Sequence, residues 1–381
     1  MHGIFKEEFA QVVDLFEQQG RAHPLGGSSL AVYKDGELVV NVWQGEAKPG
    51  EPWAEDTVSD VFSSTKGIVS ILAAKLADEG VLDLDAKVTE YWPEFGQGGK
   101  ENITVKMVLQ HKAGLSAVRR DLTFDEVVDG HTITDELAKQ EPLWEPGTSH
   151  GYHALTFGNL VSRIILGATG LTANEYLQKY VTKPLGLDMW IGTPAAVLSR
   201  VAPLISDGNF ISAHPEVGTD LYWVEKAMTM GGGLPVDPTS ANGFNNPRLL
   251  ATELAGANGV TNAHGLAKIY SAAVVKTDGL RLLSDDAIEA ACIPASFGEN
   301  HWHEPAPHPI WGNGFMVPGA VHIKMPGNKG FGHDGLGGQA GWGSLEHRIG
   351  FGYTTTFLKR TPDTQKNQQD LVASVNRVLG I

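Results

Sequence analysis

The 381-residue sequence contains one cysteine, few basic residues and no long apolar run. The single thiol of Cys292 excludes an intrachain disulfide framework and a cysteine-rich metal site. Its apolar neighbours predict a buried, small hydrophobic side chain. With 29 Lys and Arg against 44 Asp and Glu, the formal net charge is −15. Binding of nucleic acid or of an anionic membrane surface through overall charge is therefore not expected.

The sequence also lacks the segments that direct a chain into or across a membrane. No stretch approaches the roughly 18 apolar residues of a membrane span. The first residues show no basic segment followed by an apolar one, so we expect no secretory signal and a cytoplasmic location. The composition, 42% hydrophobic and 19% charged, is that of a globular protein. Its length predicts two or three structural units.

Hydrophobic periodicity predicts an α+β fold in which both chain ends form one layer. An Asp35-Gly36 turn between two β-rich runs predicts a hairpin near the N-terminus. The predicted helices cover 5–20, 66–78, 153–167, 173–181, 263–275 and 371–379, and the predicted strands cover 29–33, 37–43, 312–323, 338–344 and 350–357. We expect an antiparallel sheet flanked by helices from residues 1–62 and 216–381. A mostly helical unit would occupy 63–215, with the active site between the two.

The first candidate for chemistry is Ser63-Ser64-Thr65-Lys66, the one S-x-x-K pattern in the chain. A serine hydroxyl needs a base within hydrogen-bonding reach, and a lysine three residues later lies one helical turn away on the same face. The free N–H groups of a helix start also favour an oxyanion. An N-cap serine with a surface lysine would give the same pattern. The apolar residues that follow favour a buried helix instead.

Two further candidates are weaker when taken singly. Tyr152 follows a loop with Pro146 and Gly147 and precedes a predicted helix, a place where core tyrosines are more common than catalytic ones. His333-Asp334-Gly335 lies in a glycine-rich predicted strand, and such glycines permit close approach of a ligand. Strand alternation predicts that the side chains of His333 and Asp334 point to opposite faces.

Together the three segments resemble the serine β-lactamase and penicillin-binding-protein superfamily, which uses Ser-x-x-Lys, Tyr-x-Asn and Lys-Thr-Gly or His-x-Gly in this order. Four flanking segments resemble the superfamily as well: residues 109–115 its "LLxHxSGL" turn, 144–152 its "W-x-PG…Y" segment, 184–187 its "PLGM" segment, and 258–266 a stretch of the family VIII carboxylesterases. The resemblance extends from about residue 10 to the C-terminus. It implies a β-lactamase-like fold and acyl transfer through an acyl-enzyme.

The resemblance also implies roles for individual residues. Ser63 would be the nucleophile, and Lys66 and Tyr152 would share the removal of its proton, with the choice of base left open. The main-chain N–H groups of Ser63 and Leu336 would bind the oxyanion, and His333 and Gly335 would line the substrate site. No cofactor and no metal are expected.

Two departures from the superfamily pattern favour an esterase. Tyr-x-Asn is Tyr152-His153-Ala154 here, so the asparagine amide is absent, and Lys-Thr-Gly is His333-Asp334-Gly335, so a histidine replaces a permanent cation. We expect a larger fraction of His333 to be charged as the pH falls toward about 6. The rate of β-lactam turnover should then rise relative to that of ester turnover. We expect hydrolysis of short-chain carboxylic esters, with a small-molecule ester as the partner. The sequence does not predict an oligomeric state.

Several alternatives stay open. A D-amino-acid peptidase or amidase, a weak β-lactamase and a non-catalytic binding protein would share the fold. Residues 147–151 match G-x-S-x-G, the nucleophile elbow of α/β-hydrolases, which would make Ser149 the nucleophile. Two prolines just before it argue against the buried strand that the elbow needs. A loop with His301, His303, Glu304 and His308 is a weak candidate for a metal site. The candidates for pocket-lining aromatics are Trp223, Trp302, Trp311 and Trp342.

Overall fold

The structure is a computed structural model that describes residues 1–22, 25–319, 323–361 and 364–381. Its strands are β1 (His2–Phe5), β2 (Gly27–Lys34), β3 (Glu37–Lys48), β4 (Glu51–Pro52), β5 (Ser59–Asp60), β6 (Met189–Ile191), β7 (Ile205–Ser206), β8 (Gly259–Thr261), β9 (Ile310–Trp311), β10 (Met316–Val317), β11 (Gly330–Asp334), β12 (Ala340–Ser344), β13 (Ile349–Thr355) and β14 (Phe357–Leu358). Its helices are α1 (Ala10–Ala22), α2 (Ser64–Asp78), α3 (Val88–Tyr91), α4 (Val105–Leu109), α5 (Phe124–Val128), α6 (Thr132–Lys139), α7 (Thr156–Thr169), α8 (Ala173–Leu177), α9 (Lys183–Leu185), α10 (Asp220–Met228), α11 (Pro247–Ala251), α12 (Ala263–Val274), α13 (Asp285–Ala291) and α14 (Lys366–Leu379).

The main sheet joins the two ends of the chain. Its strand order is β1-β3-β2-β13-β12-β11-β10-β9, with β4 beside β3. The N-terminal hairpin meets the C-terminal strands where β2 pairs antiparallel with β13, with Val32 opposite Phe351. A smaller antiparallel sheet has the order β5-β8-β6, and its strand β5 comes directly before the turn that leads into α2. The predicted α+β class, with an antiparallel sheet flanked by helices, is confirmed.

Side-chain alternation gives the sheet two buried faces. In β2, Leu30 and Val32 pack in one core cluster with apolar residues of α1 and α14. The intervening Ala31 and Tyr33 pack on the opposite side, against α12. Both faces of the sheet are therefore covered by helices, and β11, which carries His333, is one of its strands.

Glycines on the α12 side of the sheet let that helix approach the strands closely. A Cβ atom on Gly350 would lie 2.1 Å from the carbonyl oxygen of Ala267, and one on Gly352 would lie 2.1 Å from that of Ala263. Side chains at these two positions of β13 would push α12 away from the sheet.

The helices between β5 and β8 surround a second, larger core that includes the apolar side chains of α2 and α7. Residues 220–251 also contact this helical part: Lys226 donates a hydrogen bond of 2.9 Å to the carbonyl of Arg119, and Leu122 N–H donates one of 3.0 Å to that of Gly231. The predicted division at 63 and 216 stays a prediction. In the described residues, no helix has both the length and the apolarity needed to cross a membrane.

Most predicted elements are present, with a few differences. Strand β1 is not predicted, because its four residues are exposed and form a strand only through pairing with β3. The predicted strand at 312–323 is limited to the short β10, and residues 320–322 lie outside the described part. Cys292 is half-buried, not fully buried, and burial raises the pKa of its thiol to about 12.

Candidate active site

Ser63 lies at a tight turn between β5 and α2. The preceding residue, Phe62, has a left-handed backbone with φ of +45°, a conformation that costs free energy for a bulky side chain. Its N–H donates a hydrogen bond of 2.7 Å to Oδ1 of the buried Asp60. Its carbonyl accepts one of 2.6 Å from the hydroxyl of Thr65. The turn leaves Ser63 half-buried, although the first turn of α2 behind it is fully buried.

Lys66 is fully buried one helical turn after Ser63. Its Nζ lies 3.0 Å from Ser63 Oγ, 2.5 Å from the carbonyl oxygen of Ala154 and 2.7 Å from that of Gly256. Burial lowers the pKa of Lys66 well below its usual value, and the negative charge of Asp334 opposes this effect in part. A surface lysine at this position is therefore excluded.

Tyr152 reaches the same serine from the loop before α7. Its hydroxyl donates a hydrogen bond of 2.8 Å to Ser63 Oγ, and Lys66 Nζ lies 4.8 Å from the centre of its ring. The ring stacks on Trp311, with centroids 5.6 Å apart and an angle of 6° between the planes. Burial raises the pKa of Tyr152 above its usual value. The structure thus brings both Lys66 and Tyr152 within hydrogen-bonding distance of Ser63 Oγ.

The end of β11 lies beside the nucleophile turn. A Cβ atom on Gly335 would lie 2.4 Å from the carbonyl oxygen of Val61, so glycine permits this close approach. Within the described chain, the N–H groups of Ser63 and Leu336 have no hydrogen-bond acceptor. The resemblance assigns these two groups to the oxyanion site, which requires free main-chain donors.

His333 and Asp334 are both electrostatically coupled to Lys66. Burial, with a contribution from Lys66, lowers the pKa of His333 to about 3, and burial raises that of Asp334 to about 7. The expected gain of charge on His333 near pH 6 is therefore wrong, because desolvation keeps the ring neutral. The prediction of opposite faces is also wrong: His333 Nδ1 and Asp334 Oδ1 lie 3.8 Å apart. Asp334 ends the strand, so strand alternation no longer fixes its direction.

Sequence reasoning missed several groups that support these residues. The carbonyls that hold Lys66 belong to the main chain, which carries no sequence signal. His111 and His153 are both fully buried beside Tyr152. Burial lowers the pKa of His153 to about 4 and that of His111 well below its usual value. The "LLxHxSGL" resemblance placed His111 in a turn similar to one of the superfamily, but it did not indicate what the ring contacts.

Neither the candidate nucleophile elbow at Ser149 nor the candidate metal loop at 301–308 has the geometry that its chemistry requires. Ser149 lies in a loop without a strand before it or a helix directly after it, so the nucleophile-elbow hypothesis is wrong. In the candidate metal loop, His301 stacks on Trp144 with centroids 4.6 Å apart, and His303 pairs with Asp220 at 2.9 Å. Within the described ranges, no three histidine, cysteine or acidic side chains are grouped as metal ligands.

Three of the four candidate tryptophans lie near Tyr152. Trp311 stacks on it, and the half-buried Trp223 packs in the same small apolar cluster as Tyr152. Trp302 stacks on Trp223 with centroids 6.1 Å apart. Trp342 instead lies in the core beneath α1 and α14, so it does not line the site. The aromatic side chains give the site an apolar wall.

Comparison with known proteins identifies the family of the chain. A family model described as Beta-lactamase matches residues 12–374. The chain belongs to the β-lactamase family. It is similar to Esterase/beta-lactamase LipL of Mycobacterium tuberculosis, with 34% identity over 362 residues that cover 92% of this chain and 81% of that protein.

Two solved structures are similar over the whole chain. One is a family VIII carboxylesterase, with a TM-score of 0.87, 30% identity and coverage of 99% of both chains. The other is a penicillin-binding protein homologue from Caulobacter crescentus, with a TM-score of 0.87, 30% identity and the same coverage of 99%. The family resemblance of the motifs is confirmed, and the protein is a hydrolase of the superfamily that contains β-lactamases and esterases.

The buried carboxyl group of Asp60 is expected to make the stability of the folded protein depend on pH. It is 1% exposed, its Oδ2 has no partner among the described residues, and burial raises its pKa well above the usual value. From about pH 4, where an unfolded aspartate titrates, up to the higher pKa of the folded state, only the folded protein keeps this proton. Stability is therefore lost as the pH rises through this window. Asp60→Asn removes the effect, so its melting temperature should gain on that of the wild type as the pH rises above about 4.

Asp60→Ala serves as the matched control, because alanine cannot accept the hydrogen bond from Phe62. Its stability should lie about 1–3 kcal/mol below that of Asp60→Asn at every pH, the usual cost of an unpaired buried N–H group. Thermal unfolding followed by circular dichroism measures both variants. A wild type that gains stability over Asp60→Asn as the pH rises would contradict a neutral, buried Asp60.

Proposed function

We propose that the protein is a carboxylesterase that cleaves short-chain esters through an acyl-enzyme on Ser63. One observation carries the proposal: Ser63 Oγ lies between the desolvated amine of Lys66 at 3.0 Å and the hydroxyl of Tyr152 at 2.8 Å. This arrangement supplies a nucleophile, a base and a proton donor at one point. The names of the similar esterases support the same reaction class.

Lys66 is the better candidate for the acylation base. Two of its three polar neighbours are carbonyl oxygens, those of Ala154 and Gly256, which only accept hydrogen bonds. A neutral amine satisfies both with its two N–H groups and keeps its lone pair for the proton of Ser63. The lowered pKa of Lys66 favours this neutral form, whereas the raised pKa of Tyr152 keeps the phenol protonated.

The proposed steps follow from these protonation states. Ser63 Oγ attacks the ester carbonyl, its proton passes to Lys66, and the N–H groups of Ser63 and Leu336 bind the oxyanion. When the bond between carbon and the alcohol oxygen breaks, Tyr152 donates its proton to the leaving alkoxide and is reprotonated by Lys66. Water then attacks the acyl-enzyme by the same route in reverse, which releases the acid and free Ser63.

The groups around the nucleophile favour esters over β-lactams. At the position of the superfamily asparagine, Ala154 is packed with Ala117 and Ala227 and offers no side-chain amide. At the position of the superfamily lysine, His333 is neutral because burial lowers its pKa to about 3. A β-lactam would therefore lack a partner for its amide and a cation for its carboxylate.

The identity of the nucleophile is tested first. Ser63→Ala should abolish hydrolysis of p-nitrophenyl acetate and butyrate, because no other group can form the acyl-enzyme. Ser149→Ala, which removes the serine of the G-x-S-x-G segment, is the control and should keep wild-type kcat/KM. Loss of activity in the second variant with retention in the first would refute Ser63 as the nucleophile. Circular dichroism confirms that both variants are folded.

The division of roles between Lys66 and Tyr152 is tested by a double-mutant cycle. Lys66→Ala and Tyr152→Phe should each lower kcat by at least about 10², the effect expected when general acid–base help is lost. The double variant should lose far less than the product of the two effects, because both residues act on one proton. A full product of losses would contradict the shared proton path.

The substrate preference is tested with nitrocefin and p-nitrophenyl acetate on one preparation. Each missing charge-assisted hydrogen bond costs about 1.5–3 kcal/mol, or roughly one to two powers of ten in rate. We therefore expect kcat/KM for nitrocefin to be orders of magnitude below that for the ester. The ratio should not improve when the pH falls to about 6, because His333 stays neutral there. A nitrocefin value equal to the ester value would favour a β-lactamase.

A further inference from the structure

His111 is a buried polar residue that the proposed chemistry does not use. It lies two residues after the end of α4, is 0% exposed and has a left-handed backbone with φ of +58°. Its carbonyl accepts a hydrogen bond of 3.1 Å from Gly151 N–H. Its ring atom Nδ1 accepts one of 3.2 Å from His153 N–H. One residue therefore holds the main chain on both sides of Tyr152.

The tautomer of His111 follows from these bonds. Because Nδ1 accepts a main-chain N–H, the single ring proton of neutral His111 resides on Nε2, which has no partner in the described chain. Burial and the neighbouring histidines and Lys66 lower its pKa well below the usual value. The ring is therefore a permanent acceptor at Nδ1, which a charged imidazole would not be.

The side chain of His153 also connects the turn at 111–115 with the segment at 151–153. Its Nε2 accepts a hydrogen bond of 3.1 Å from Leu115 N–H, and its Nδ1 donates one of 2.7 Å to the carbonyl of Gly151. The turn at 111–115 and the segment at 151–153 are thus joined by His111 and His153 together. Neither segment contains a helix or a strand, so these bonds replace the support that a regular element would give.

The ring of His111 also contacts the side chains that orient the phenol. It meets the ring of Tyr152 edge-on, with centroids 5.4 Å apart, and that of Trp311 in the same way at 4.8 Å. Trp311 in turn stacks on Tyr152. Main-chain bonds and ring contacts therefore restrain the direction from which Tyr152 approaches Ser63.

We propose that His111 is a positioning residue that fixes the hydroxyl of Tyr152 against Ser63 Oγ through its Nδ1 acceptor. The inference rests on the proposed function in one respect only, namely that Tyr152 takes part in activating Ser63. A displacement of the order of 1 Å in a catalytic group lowers rates by as much as about 10². The loss of this acceptor should therefore appear in the rate of serine acylation.

The test compares His111→Asn with His111→Gln. The asparagine amide oxygen takes the place of Nδ1, and asparagine tolerates a left-handed backbone. The glutamine amide is one carbon further out, at the place of Nε2, so it offers no acceptor to His153 N–H. We expect His111→Asn to react within about threefold of the wild type and His111→Gln to react at least about tenfold more slowly.

The measured quantity is the second-order rate of Ser63 labelling by a fluorophosphonate. In this reaction Ser63 Oγ bonds to phosphorus, fluoride leaves, and the hydroxyl proton passes to Lys66. The same pair is then placed in a Tyr152→Phe background, where the effect of His111→Gln should disappear, because the hydroxyl that it positions is gone. Melting temperatures of all variants show separately how much stability each substitution costs.

Two outcomes would overturn the proposal. One is an equal loss for His111→Gln with and without the Tyr152 hydroxyl, which would indicate a general structural role. The other is a labelling rate of His111→Asn as low as that of His111→Gln. If wild-type protein reacts with the probe but hydrolyses no ester, the proposed substrate class fails while the role of His111 is still decided by the labelling rates.

Discussion

The desolvation of Lys66 is the constraint on which the rest of the site depends. A lysine in water is charged at neutral pH and cannot take a proton from serine. Here the carbonyl oxygens of Ala154 and Gly256, two residues far from Lys66 along the chain, accept its hydrogens and exclude water. The carbonyls can approach because α7 and the segment at 255–256 are in close contact. A Cβ atom on Gly158 would lie 1.8 Å from the nitrogen of Gly256.

Around this amine the site is built from groups that stay neutral. His111, His153 and His333 are all buried, and burial lowers the pKa of each ring. In the proposed mechanism, a positive charge on any of them would raise the cost of protonating Lys66 during the attack by Ser63. Asp334 is the one acidic group coupled to Lys66 in the described part of the site, and burial raises its pKa to about 7. The site therefore holds few fixed charges, which agrees with the neutral ester that we propose as its substrate.

The sequence predicted those elements whose signals are local. The Asp35-Gly36 hairpin and the apolar helix of Lys66 both appear because turn chemistry and helical periodicity act over a few residues. The sequence did not predict strand β1, since its exposed residues gain their structure only from pairing with β3. The direction of Asp334 was predicted wrongly for a related reason: strand alternation holds inside a strand and fails at its end.

The sequence by itself determined that Ser63 and Lys66 share one helical face, because the helix repeat places residues three apart on adjacent turns. The order of the motifs also determined the family. The motif order also implied Tyr152, but only the tertiary structure decided that the carbonyls of Ala154 and Gly256 hold Lys66 and that the ring of His111 lies beside Tyr152. It also decided the protonation states, because the pKa of a buried group depends on desolvation and neighbouring charges, and these arise from segments far apart in the chain.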